Sequence, residues 1–303
     1  MRIGDTPLIR LEKVVPGNGV EIWVKWEGAN PTGSMKDRMA LSMVRGAEQR
    51  GQLRPGGRVV DFTGGSTGSS LAMVCASLGY QAHFVSSDAF AEEKLQTMRA
   101  FGAVLEVVPS VNGKITSELF QVCLARAREL AGEPNTFWTD QFNNPDNRAG
   151  YHAMADETLA PLGGRLDEFV MMVGTGGAFS GNAEVFKARV PGVRCIAGEP
   201  AESRALSGLA PTGGHRIEGT GAGFAPGNYR RDLADGVLAV TDADAMATAR
   251  RLAREEGIWG GTSSGANVWM ALERARHLSA GARVVTTVCD SGLKYLAGDL
   301  YRA

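Results

Sequence analysis

Cysteine is scarce in this chain, and what there is does not cluster. Cys75, Cys123, Cys195 and Cys289 lie far apart with no CxxC pair, so neither a disulfide framework nor a thiolate metal site is signalled, and a reducing cytoplasm is the expected location. Histidine is as thinly spread: His83, His152, His215 and His277 never take the HExxH spacing of a metalloprotease helix, so no metal is expected. An excess of charge is also missing. Lysine plus arginine number 32 against 33 acidic residues, which leaves no large field to hold nucleic acid or an anionic membrane. No apolar run approaches the roughly 18 residues of a membrane span, and the opening MRIGDTPLIRLEKV has no apolar signal-peptide core. Repeats of solenoid period and low-complexity linkers are absent as well. The expected partner is a small molecule, met by a soluble, unsecreted protein.

What is present suits compact α/β structure: 303 residues, 44% hydrophobic and 21% charged, enough apolar material for one or two buried cores. Short valine-rich runs at Glu21–Lys25, Arg58–Phe62, Gln81–Ser86 and Val104–Val108 alternate with segments of helical period, the βαβα pattern of a parallel sheet. Between the first two runs a helix is predicted, with Ser34 able to cap it, Met39, Met43, Val44 and Ala47 as its apolar stripe, and Gly51 placed to end it. A second helix is predicted from Ser66 to Leu78 before Gly79, and a third from Glu92 to Phe101 before Gly102. The alternation resumes after Asn147, with strands at Phe169–Val173 and Arg194–Gly198 around a helix at Phe179–Arg189, suggesting a second α/β unit. The polar, turn-rich QFNNPDNR, Gln141 to Arg148, is the candidate crossing between the two.

Four segments carry residues suited to chemistry. Asn30-Pro31-Thr32-Gly33-Ser34-Met35-Lys36-Asp37-Arg38 delivers a lysine into the first turn of a helix. There the positive end of the dipole disfavours an ammonium and lowers its pKa, as a Schiff-base lysine needs; a solvated lysine paired with Asp37 is the plainer alternative. Gly174-Thr175-Gly176-Gly177-Ala178-Phe179-Ser180-Gly181 falls between a predicted strand and helix, where backbone N–H groups can approach an anion and form a phosphate cup. It lacks the Gly-Lys-Ser/Thr ending of a nucleoside-triphosphate loop, and an ordinary tight turn would also use these residues. Thr63-Gly64-Gly65-Ser66-Thr67-Gly68 could cradle a carboxylate or simply cap a helix. In Gly260-Gly261-Thr262-Ser263-Ser264-Gly265-Ala266, two serines precede an apolar helix that either could cap.

In this order the four segments resemble the cysteine synthase family, that is, O-acetylserine sulfhydrylase and cystathionine β-synthase among the fold type II pyridoxal-phosphate enzymes. The likeness spans nearly the whole chain. It begins at Gly4-Asp5-Thr6-Pro7-Leu8 and continues through NPTGSMKDR, GTGGAFSG, Glu199-Pro200-Ala201-Glu202-Ser203, GTGAGFAP at Gly219 to Pro226, and Asp290-Ser291-Gly292. The resemblance implies two three-layer α/β domains with mostly parallel sheets, like the β subunit of tryptophan synthase, with the cofactor in the interdomain cleft. A smaller mobile domain would span 35–145, a larger cofactor-binding domain 13–34 plus 146–303, and an N-terminal arm 1–12.

The resemblance also implies pyridoxal 5'-phosphate as cofactor, held as a Schiff base by Lys36, which later carries a proton. Gly174, Thr175, Gly176, Gly177 and Ala178 would grip the phosphate. Ser263 would face the pyridine nitrogen; a hydroxyl, unlike a carboxylate, does not keep that nitrogen protonated, so the electron sink is weaker and loss of a β-substituent is favoured over transamination. Thr63, Gly64, Gly65, Thr67, Gln141 and Gly221 would bind the amino-acid substrate, whose carboxylate would draw the smaller domain closed. The implied reaction is β-replacement on an activated serine such as O-acetylserine, through an aminoacrylate attacked by a nucleophile such as sulfide, giving L-cysteine or a related β-substituted alanine. Elimination from cysteine, releasing sulfide, pyruvate and ammonia, is the alternative, as is a weakly catalytic cofactor-binding regulatory partner. A homodimer is implied too.

The chain departs from the family pattern inside the site. The substrate loop usually reads Thr-Ser-Gly-Asn-Thr-Gly, whereas here Gly64 replaces the serine and Ser66 the asparagine that bonds the cofactor's phenolic oxygen. Ser66 offers one hydroxyl in place of an amide donor and acceptor. Ala178 stands where the cup usually has threonine, while Thr175 and the backbone donors remain.

Overall fold

The computed structural model describes residues 2–112 and 116–302. Two strands come first, β1 (Leu8–Arg10) and β2 (Glu21–Trp26). Next follow α1 (Lys36–Gln49), β3 (Arg58–Phe62), α2 (Ser66–Leu78), β4 (Gln81–Ser87), α3 (Glu92–Ala100), β5 (Val104–Val108), α4 (Ser117–Ala131), β6 (Thr136–Trp138) and α5 (Pro145–Ala149). The remainder runs α6 (His152–Leu159), β7 (Glu168–Met172), α7 (Gly177–Arg189), β8 (Arg194–Pro200), β9 (Gly236–Val240), α8 (Asp242–Arg251), α9 (Thr262–Ala275) and β10 (Arg283–Val288). The described chain divides into two compact units, Lys36–Gly150 and Arg2–Met35 with Tyr151–Ala303.

In the unit of residues 36–150 the sheet order is β5-β4-β3-β6, and every pairing is parallel. Val59 and Val60 of β3 are both fully buried although they point to opposite faces, as expected of a strand covered on two sides by helices. Val60, Phe62 and Val85 pack with Leu119, Cys123, Ala127 and Leu130 of α4 into one core cluster. Helix α2 is buried without a break from Thr67 to Cys75. Its small residues, Gly68, Ser69, Ser70 and Ala72, permit that all-round burial, and Gly79 ends it in the left-handed conformation with its N–H on the carbonyl of Cys75. The bounds of α2, β3 and β5 are those the sequence predicts; α3 stops one residue short, at Ala100.

The other unit holds a six-stranded sheet of order β1-β2-β10-β7-β8-β9. Only the β1–β2 pair is antiparallel; the remaining pairings are parallel. All five residues of β7 are buried, including Glu168, whose carboxylate is gripped by Arg274 through Nε and Nη2 at 2.8 and 2.6 Å. A bidentate pair of this kind compensates the desolvation that would otherwise bar a carboxylate from a buried strand. Both glycine-rich turns singled out from the sequence leave the carboxyl end of a parallel strand and enter a helix, β3 into α2 and β7 into α7, the end of such sheets where ligands are usually met.

Helices α8 and α9 approach through Gly265. A Cβ there would stand 2.0 Å from the carbonyl oxygen of Ala245 and 2.7 Å from the amide nitrogen of Ala249. Gly265→Ala is therefore expected to cost about 1–3 kcal/mol of stability, lowering the thermal unfolding midpoint. Gly213→Ala, where a Cβ meets nothing within 4 Å, serves as the control. Equal midpoints for the two variants would refute the close crossing.

Candidate active site

Lys36 is the first residue of α1, half-buried between buried Met35 and Asp37. The turn before it is fixed to the segment after β10: Met35 N–H donates to the carbonyl of Cys289 at 2.8 Å, and Ser291 N–H to that of Gly33 at 2.9 Å. Gly33 has φ +70, a left-handed conformation that favours glycine. On the helix itself, Ser70 of α2 donates its hydroxyl to the carboxylate of Asp37 at 2.6 Å.

The turn from β3 to α2 is organised by hydroxyls and one buried carboxyl. Thr63 Oγ1 accepts the N–H of Gly68 at 3.0 Å, and Thr67 Oγ1 donates to Gln141 Oε1 at 2.9 Å. Gln141 Nε2 in turn donates to the carbonyl of Phe62 at 3.2 Å and to Asp61 Oδ2 at 3.4 Å. Thr63, Thr67 and Gln141, all buried, are thus brought together within one unit, although Gln141 lies 74 positions beyond Thr67 in the chain. Gly65 precedes α2 with extended backbone, and half-buried Ser66 begins it.

Asp61 was not among the sequence-derived candidates. It accepts from Phe62 N–H at 2.8 Å and from the Thr139 hydroxyl, yet burial outweighs these donors and pushes its carboxyl up to about 7. The signal available in the sequence was an acid inside an apolar strand, VVDF, which demands a local polar explanation.

In the other unit, the turn from β7 to α7 runs through Gly174 and Gly176. A Cβ on Gly174 would lie 2.1 Å from the carbonyl oxygen of Gly219, and one on Gly176, at φ +87, would lie 2.5 Å from the amide nitrogen of Tyr229. Side chains are excluded at both positions. Helix α7 begins at Gly177 with no acidic residue in its first turn, so its N-terminal N–H groups face no competing carboxylate of their own helix. Gly221, at φ +59, donates its N–H to the carbonyl of Val173 at 3.2 Å, which places it beside the Gly174–Ala178 turn. Its own carbonyl accepts the Ser203 hydroxyl at 3.2 Å and lies 3.1 Å from His215 Nε2.

Ser263 is buried in the first turn of α9. Its neighbours anchor that turn: Thr262 Oγ1 accepts the N–H of Glu218 at 3.1 Å, and Ser264 Oγ that of Cys289 at 2.9 Å. The Glu218 bond ties the start of α9 to the residue just before Gly219. Gly174–Ala178, Gly221 and the start of α9 are therefore linked within this unit, by one backbone bond to Val173 and one from backbone to the Thr262 hydroxyl. A bare glycine turn opening a 13-residue helix fits a phosphate monoester, and the residues present suit pyridoxal phosphate. Among the described residues no group of three or more His, Cys, Asp or Glu could hold a metal ion, and no helix is long and apolar enough to cross a membrane.

Comparison with known proteins bears on the cofactor and the family. A cysteine synthase of Staphylococcus aureus is 39% identical over 301 residues, covering 99% of this chain and 95% of the relative. The crystal structure of O-ureido-L-serine synthase superposes with a TM-score of 0.91 at 36% identity, covering 99% of this chain and 93% of that one. That of cysteine synthase from Entamoeba histolytica gives 0.93 at 34% identity, covering 99% and 89%. The family model described as pyridoxal-phosphate dependent enzyme matches residues 1–290, and the chain belongs to that family.

Proposed function

We propose that this protein catalyses β-replacement on an activated serine such as O-acetylserine, using a small nucleophile such as sulfide and yielding L-cysteine or a related β-substituted alanine. The observation that carries the reading is the bare β7–α7 turn beside Gly219–Gly221, in a chain that is 39% identical over 301 residues to a protein named cysteine synthase. Pyridoxal phosphate supplies the electron sink that the substrate's α-carbon needs. The backbone donors of Gly174, Thr175, Gly176, Gly177 and Ala178 would hold its phosphate, with Ser263 on the pyridine nitrogen and Ser66 on the phenolic oxygen. Thr63, Gly64, Gly65, Thr67 and Gln141 take the substrate carboxylate, and Gly221 lies against the substrate. The residues assigned to the substrate carboxylate thus belong to the unit of residues 36–150, and those assigned to the phosphate, with Gly221, to the other.

Lys36 would hold the cofactor through its aldehyde carbon and would move the α-proton. Its position at the start of α1 supports this, since the helix dipole disfavours an ammonium there and favours the neutral amine that must act as base. The four cysteines, all buried and none in a disulfide, support a reducing cytoplasm. The family resemblance supports a homodimer, which light scattering of the purified protein measures.

With cofactor bound, the protein should absorb in the visible, O-acetylserine should shift the band, and sulfide should restore it with release of cysteine. Borohydride reduction followed by peptide mapping should place the cofactor on Lys36, and Lys36→Ala should abolish turnover. A label on another residue, or none, would overturn the assignment. Pyruvate release from cysteine without sulfide-dependent consumption of O-acetylserine would select elimination instead, and a coloured protein that no amino acid perturbs would select a binding role.

Asp61 gives a separate expectation. In the folded chain its carboxyl keeps a proton up to about pH 7, whereas its ordinary value is 3.8. Between those values the folded state binds more protons than the unfolded one. Its contribution to stability is therefore greatest below about pH 4 and is lost as pH rises through about 7. Asp61→Asn stays neutral throughout. Urea unfolding across this range should show the wild type losing ground to the variant from pH 4 to 7 and levelling off above; a pH-independent difference would refute the raised value.

A further inference from the structure

Gly64 departs from its family's serine, and the structure shows what stands in the vacated space. A Cβ at Gly64 would lie 2.0 Å from both Cγ and Cδ2 of Phe90 and 2.4 Å from Cε2. No side chain of any size fits there while the ring is in place. Phe90 lies two residues before α3 and is held from several sides. Its ring packs on Phe62, the last residue of β3, with centroids 6.2 Å apart, and Phe62 meets Phe120 edge-on at 5.1 Å. Phe90 N–H donates to the carbonyl of Ser87 at 3.2 Å, Ala89 N–H to the Ser87 hydroxyl at 3.2 Å, and Asp88 accepts the N–H of Ser110 at 2.7 Å. At the far end of the same turn, Gly68 is covered by Met98 of α3, whose Sδ and Cε would stand 2.6 Å from an added Cβ. Helix α3 and its lead-in thus cover the Thr63–Gly68 turn at both ends.

We infer that Phe90 is a positioning residue for the substrate carboxylate. With no side chain at position 64, the ring packed on Gly64 fixes the backbone of the Thr63–Thr67 turn, so that its main-chain N–H groups meet the carboxylate without help from a serine hydroxyl. The ring also closes that side of the turn with an apolar edge, which water cannot use as a hydrogen-bonding route to the donors. The inference rests on the assignment of this turn to the substrate carboxylate made above.

The test is steady-state kinetics on the holoenzyme with O-acetylserine and sulfide, together with the unfolding midpoint and the visible band of each variant. Phe90→Ala should raise KM for O-acetylserine roughly tenfold with a much smaller change in kcat, because the contact acts on substrate binding rather than on the proton transfer. Phe90→Leu, which retains apolar bulk, should recover most of that loss. Gly64→Ser alone should be at least as damaging as Phe90→Ala, since the hydroxymethyl group and the ring cannot share the space. The double variant Gly64→Ser/Phe90→Ala should bind O-acetylserine better than either single variant. A KM unchanged in Phe90→Ala, or a double variant no better than its parents, would overturn the inference while leaving turnover by the wild type, and with it the proposed reaction, intact. A wild type that keeps its cofactor band but answers no amino acid would instead overturn the reaction on which the inference rests.

Discussion

A main-chain N–H can reach an anion only where nothing projects between them, and that constraint governs both turns to which the proposed function assigns an anion. At Gly174 the neighbouring carbonyl of Gly219 comes so near that even a methyl would collide with it, and at Gly176 the backbone of Tyr229 does the same while φ +87 holds the chain in a left-handed conformation. Glycine is required at these positions by contacts already made within the protein. The turn is bare because its own surroundings are full, and in the proposed function its donors would meet the acceptor oxygens of a phosphate. The Thr63–Gly68 turn obeys the same constraint with different fillers: an aromatic ring at Gly64 and a thioether at Gly68.

Buried charge in the two units follows a related division. Glu168 is neutralised by Arg274, Lys25 meets Glu157 at 2.6 Å, and Glu27 accepts from Thr6 at 2.6 Å and Asn30 at 2.8 Å. The first two are ion pairs, the arrangement by which charge survives desolvation. Asp61 accepts from the neutral donors of Phe62, Thr139 and Gln141, and burial outweighs them and raises its carboxyl toward neutral pH. A group that can change charge without breaking an ion pair sits one hydrogen bond from Gln141 and two from Thr67. The hydrogen-bonding of the turn is thereby coupled to a titrating side chain that does not belong to the turn itself.

Much of this was legible in the sequence where the signal is local. The end of α2 follows from Gly79 just past it, because left-handed termination acts within one turn of helix. The strands β3 and β5 follow from runs of branched apolar residues between turn formers. The approach of Gln141 to Thr67 was reached through family resemblance, since nothing in the spacing of two residues 74 positions apart encodes that they meet. Asp61 and Phe90 were missed for a physical reason: each acts through tertiary neighbours, a carboxyl through the absence of a countercharge and a ring through the absence of a side chain opposite. Strand order is equally non-local, with β10 lying between β2 and β7.

The departures from the family pattern sort by the kind of donor they touch. Replacing threonine by alanine at 178 removes a hydroxyl from the β7–α7 turn, yet the N–H of Ala178 persists whatever its side chain, so the grip on an anion is reduced by one contact and keeps its form. Replacing asparagine by serine at 66 removes an amide and with it reach as well as bonding capacity, and no backbone group takes over a contact defined by side-chain length. Position 64 is a third kind, in which the lost hydroxyl is answered by a ring arriving from another segment of the same unit. Backbone recognition tolerates sequence change, side-chain recognition does not, and packing can exchange one for the other only where a neighbour is near enough to move in. Under the proposed function, phosphate binding would then be insulated from these substitutions, and a shift in substrate preference would trace to positions 64 and 66 and to the residues that fill the space around them.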